Sequence, residues 1–136
     1  MVTFKRSLLV FVGLMCYAVS VTANLGETMS AAKGRSASYA QRYGAVEPIF
    51  NVDSKGMVIM ECWAAPPQMW SRDVALRFAT ELLPAPLQKA KPKALPKDGS
   101  EEGFLYPDGT RVILQEFQGK YLGVEVRSPS FKGPGC

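Results

Sequence analysis

Hydrophobic and polar positions alternate through Tyr121 to Arg127. Leu122, Val124 and Val126 fall on one side, and Tyr121, Gly123, Glu125 and Arg127 on the other. A period of two carried by β-branched residues predicts a half-buried strand. Arg111 to Phe117, with Val112, Ile113, Leu114 and Phe117, predicts its partner. Between them Gln118-Gly119-Lys120 supplies a glycine where a short hairpin needs positive φ. Pro107-Asp108-Gly109 reads as a second turn, so Phe104 to Tyr106 is expected as a third strand. Upstream, Glu47 to Asp53 and Met57 to Ala64 flank Ser54-Lys55-Gly56 and predict another hairpin. There Val58, Met60 and Cys62 are expected on one face, and Met57, Ile59, Glu61 and Trp63 on the other. Both faces are largely apolar, which predicts a central strand.

The period then changes. Trp70, Val74, Phe78 and Leu82 recur every fourth residue, widened by Ala75, Ala79 and Leu83. This predicts a helix from about Gln68, after Pro66-Pro67, to the stop at Pro84. Near the start of the chain, Thr28 or Ser30 is a helix cap and Gly44 a helix stop. Gly34 weakens what lies between, so the firm helix is expected over Ser36 to Tyr43. Residues 85–102 hold Pro86, Pro92 and Pro96 among four lysines and show no period, which predicts a solvated Pro/Lys-rich linker. The order is α-β-β-α-β-β-β: a single α+β domain over residues 24–136, with a mainly antiparallel sheet of about five strands and two helices packed on one face.

Composition changes this picture at the N-terminus. Lys5 and Arg6 precede an apolar run from Leu8 to Val19, and Val21-Thr22-Ala23 offers small residues for cleavage. Residues 1–23 therefore read as a secretory signal peptide, the run being short for a bilayer span. Cys16 lies inside the run and follows Met15 where a bacterial lipobox has a small residue, so it reads as signal sequence. The expected product is exported, periplasmic or secreted, with no stable membrane span after cleavage near Ala23. Its net charge is +2 rather than the +4 of the whole chain, because Lys5 and Arg6 leave with the signal. The basic residues form no stripe with interleaved aromatics, which argues against nucleic acid. Two cysteines remain, Cys62 and Cys136. An even count in an oxidising compartment predicts one disulfide, against two free thiols or an intermolecular pair.

The chain has no histidine. That removes the commonest general base and the usual ligands of catalytic zinc. No phosphate-cradling glycine loop follows a strand. No catalytic residue, cofactor or metal is therefore expected. Glu61, Glu116 and Glu125 lie on predicted strands and are the carboxylates from which a hydrolase would have to be built. The bland alternative is three solvent-facing strand residues. Trp70 fits the helix stripe and reads as core. Trp63 ends a strand beside Ala64-Ala65-Pro66-Pro67 and is the candidate binding aromatic, at the rim of a ligand pocket between helix and sheet.

Leu25-Gly26-Glu27-Thr28, Arg42-Tyr43-Gly44 and the late Asp108-Gly109 turn resemble a group of small exported bacterial proteins of unknown function. These open their mature domain with a Gly-Glu-Thr helix cap and close the helix with Arg-Tyr-Gly. The resemblance implies helix, hairpin, helix and meander, and implies no activity. The expectation is a macromolecular binding module whose partner is another protein, of inhibitor, immunity or envelope-accessory type. The alternatives are a carboxylate-based hydrolase and a small-ligand binding protein.

Overall fold

The computed structural model describes residues 25–136. The expected signal peptide over 1–23 lies outside them. Thr28 caps the first helix: its hydroxyl accepts a hydrogen bond from the Ala31 N–H, and α1 (Met29–Lys33) follows. Gly34 interrupts it, and α2 (Ser36–Tyr43) ends at Gly44 in the left-handed region, φ 67°. Then come β1 (Val46–Val52), β2 (Val58–Ala64), α3 (Arg72–Glu81), α4 (Ala85–Gln88), β3 (Lys93–Ala94), β4 (Glu101–Leu105), β5 (Arg111–Phe117) and β6 (Lys120–Arg127). All pairings are antiparallel, in one open sheet ordered β1-β2-β6-β5-β4-β3. The fold is a single α+β domain, with β2 inside the sheet as its two apolar faces predict.

Helices cover one face of the sheet. Phe78 of α3 is the hub: its ring contacts Tyr39 and Tyr43 of α2, Trp63 of β2, and Trp70. Leu82, Leu83, Val112, Leu114, Val124 and Val126 complete this core. Such aromatic pairs add to the hydrophobic burial that holds the two layers together.

Several sequence expectations are corrected. Among the described residues there are six strands rather than about five, and four helices rather than two. The sixth, β3, lies in residues 85–102, which are not a bare linker. Pro84 and Pro86 fit the first turn of α4, where no backbone donor is lost. Leu87 and Ala90 pack against the core. The Leu95 N–H bonds to the Gly103 carbonyl at 2.9 Å. Helix α3 begins at Arg72, not near Gln68. Trp70 instead pairs backbone to backbone with Tyr121, at 3.0 and 2.9 Å, and Ser71 caps the helix through the Val74 N–H.

The remaining corrections concern strand phase. Asn51 pairs with Met60 but Val52 with Val58, so Ile59 is an extra residue in β2. Val58 therefore joins Trp63 in the helix-side core, while Met60 and Cys62 face the other way. Likewise Gln115 pairs with Gly123 but Glu116 with Tyr121, so Leu122 is an extra residue in β6. Tyr121 turns to the core with Val124 and Val126, and Leu122 is left on the open side. A bulge of this kind shifts the alternation by one without changing the composition that predicted it.

Candidate functional site

Residues paired in register share a face. Arg111, Ile113 and Gln115 of β5 therefore lie with Arg127, Glu125 and Gly123 of β6, and these with Met60, Cys62 and Ala64 of β2. This is the outer face, opposite the helices. The tail after β6 crosses part of it. The Ser128 N–H bonds to the Ile59 carbonyl at 2.8 Å, and Phe131 packs with Met60 and Cys62. The Cys136 N–H donates to Glu125 Oε1 at 2.9 Å. Glu125 is buried, and its other oxygen takes the Arg127 guanidinium at 2.5 Å. Gly135 fits where a Cβ would meet Glu125 Oε1 at 2.6 Å. Cys62 and Cys136 are joined as a disulfide, their Cα atoms 6.4 Å apart.

Between the stapled tail and β1 lies a groove of about 430 Å³. Gly123 and Ala64 sit opposite one another in the β2–β6 pair and line it together, neither with a side chain long enough to fill the space. Ile49, Pro48 and Leu122 add apolar wall, and Glu47, Gln115, Glu125 and Cys136 supply the polar rim. Gly123 is required by close approach: a Cβ there would stand 2.8 Å from the Trp63 carbonyl oxygen. The large hydrophobic side chains left exposed among the described residues are Val46 (43%), Ile49 (55%), Phe117 (50%) and Leu122 (47%). Val46 pairs with Ala64 and Ile49 with Cys62; Phe117 lies two residues beyond Gln115 on the same side of β5. All four thus gather on the outer face, at the end where the groove opens.

The residues singled out from sequence are placed differently from one another. Trp63 is not an exposed aromatic: it is 3% accessible, its indole packed against Tyr39, Phe50 and Phe78. It borders the groove along the strand while its side chain fills the helix–sheet interface where a pocket was expected. Glu61 and Glu125 are not solvent-facing. Glu61 is fully buried on the helix side, accepting from the Trp63 indole N–H at 2.6 Å, whereas Glu125 lies on the outer face. Glu116 is bound to Lys97 at 2.6 Å. Glu61 and Glu125 are separated by the sheet, so they cannot act on one bond as acid and base. The metal-ligating types that do converge are Cys62, Cys136 and Glu125. No metal site was expected of two cysteines so far apart in sequence; the pair was expected as a disulfide, and the fold adds Glu125 beside it.

Sequence reasoning missed Val46, Ile49, Phe117 and Leu122 as a set. Gly123 inside a strand pattern was the available signal, since interior glycine marks a bulge or a close approach. Among the described residues no helix is long and apolar enough to cross a membrane. No protein-family model, curated protein or solved structure matches the chain.

Proposed function

We propose that the chain is a small exported binding module that engages another protein through the outer face of its sheet. The observation that carries this reading is the exposure of Ile49 and Leu122 as walls of the groove over Gly123 and Ala64, with Val46 and Phe117 exposed on the same face. Exposed apolar side chains scattered singly are ordinary, but two that wall one largely apolar groove favour an interaction site. The disulfide supports export, because bridges of this kind persist in oxidising compartments. A partner chain inserting one apolar side chain above Gly123, ringed by Ile49 and Leu122, would form the water-excluded centre typical of protein interfaces. A periplasmic inhibitor, an immunity-type protein and an envelope accessory all fit this use.

The groove volume also suits a small apolar ligand, and about 430 Å³ lies in the range of such sites. One experiment separates the readings. A photo-reactive side chain at Leu122, with Arg111 as the control position, is irradiated in a periplasmic extract. The expected result is a discrete protein adduct from position 122 alone, lost when Ile49→Asp is added. Adducts of equal yield from both positions, or none, would overturn the protein-binding reading. An adduct of small mass would favour the ligand.

A further inference from the structure

Three sulfur atoms meet under the tail. Met60 and Cys62 are two apart on β2 and face the same way, as alternate strand residues do, and the Ile59 bulge sets them on the face opposite Val58. Both are buried. Met60 Sδ lies 3.2 Å from Cys62 Sγ and 3.9 Å from Cys136 Sγ. Cys136 comes from the exposed end of the tail and is positioned by its N–H bond to Glu125.

We propose that, with the disulfide reduced, Met60, Cys62 and Cys136 form a site for a soft monovalent cation, Cu(I) by preference. A dithiol reductant supplies the two electrons: it is oxidised to its own disulfide, and Cys62 and Cys136 become thiols. Binding the cation then releases their two protons and leaves two thiolates and one thioether as donors. A trigonal ion with metal–sulfur bonds of about 2.3 Å holds its sulfurs roughly 4 Å apart. The Met60–Cys136 separation already has that value. The freed Cys136 can swing on its tail away from Cys62, and rotation of the flexible Met60 side chain opens its 3.2 Å contact with Cys62. Thioether and thiolate donors select Cu(I), whereas hard cations want oxygen. Glu125 lies beside the site, with Oε1 3.8 Å from Cys62 Sγ, but its oxygens are already engaged by the Cys136 N–H and by Arg127, so the sulfurs are the readier donors. Two thiolates beside a carboxylate would also suit zinc, so the Met60 thioether is what points to Cu(I). The bound ion would hold the tail where the disulfide otherwise does.

The test is a Cu(I) competition titration against a chromophoric chelator. It uses the oxidised chain and the chain reduced by a dithiol that is then removed under anaerobic conditions. The reduced chain is expected to take one Cu(I) and the oxidised chain none. Met60→Leu, which conserves volume and should fold, is expected to weaken uptake by about tenfold or more, on the scale of perturbed metal sites. Cys136→Ser, at an exposed position, is expected to abolish it. Absence of uptake by the reduced chain, equal affinity in Met60→Leu, or displacement of Cu(I) by an equivalent of Zn(II) would each overturn the proposal.

Discussion

Gly123 shows how much one residue decides. Its missing side chain opens the groove, and the same absence lets β6 lie close to the Trp63 carbonyl. Gly123→Ala is therefore expected to act twice. The added methyl, 2.8 Å from that oxygen, should lower stability by about 1–3 kcal/mol, as overpacking does, measured by urea unfolding. It should also reduce adduct formation at position 122. A stability equal to that of the unsubstituted chain would mean that the two strands can part at this point. Trp63 carries the opposite lesson. A large aromatic at a strand end was read as a rim residue, yet Phe78 and Tyr39 lie where they can cover it. Sequence does not reveal which distant aromatic will arrive on a given strand face.

At the scale of elements, the entry to α3 is fastened to β6 by more than the Trp70–Tyr121 backbone pair. The Tyr121 hydroxyl donates to Glu102 Oε2 at 2.7 Å, and Arg72 of α3 binds the same carboxylate at 2.5 Å. Burial, then the Glu102 hydrogen bond and charge, push the Tyr121 phenol up to about 12. A raised pKa favours the neutral form in the folded state. Its contribution is therefore complete below the ordinary tyrosine value near 10 and is lost as pH climbs towards 12. Tyr121→Phe is expected to cost about 1 kcal/mol near neutrality, as loss of one hydrogen bond does. It should also make stability fall less steeply between pH 10 and 12, in urea midpoints taken across that range. An unchanged alkaline slope would remove Tyr121 from the account. The elements themselves were largely legible. Ser36 to Tyr43, the late hairpin and the Asp108-Gly109 turn follow from local capping, period and turn chemistry. Residues 85–102 were not legible, because a two-residue strand has no period to display and exists only through its pairing with Leu105 and Phe104.

For the whole molecule, the sheet is dressed unequally: helices over one face, a stapled tail and a groove on the other. The staple spans 74 residues, and closing such a loop removes about 4 kcal/mol of unfolded-state entropy in the chain model. Reduction is expected to lower stability by about that amount or less. Hydrogen exchange should rise first over residues 128–136, while β5 and β6 remain protected. Simultaneous loss of protection in the tail and the meander would mean that the staple supports the core itself. The α+β class, the central placement of β2, the Gly44 helix stop and the even cysteine count that predicts a bridge were legible in the sequence alone, since each depends on neighbours within a few residues or on a count. The outer face was decided only by the tertiary structure. Single extra residues at Ile59 and Leu122 are set by the register between strands, and each moves every side chain beyond it to the other face. The same register separates Glu61 from Glu125, and the crossing of the tail unites Met60, Cys62 and Cys136. Those outcomes depend on which strand lies beside which, and no local pattern carries that information.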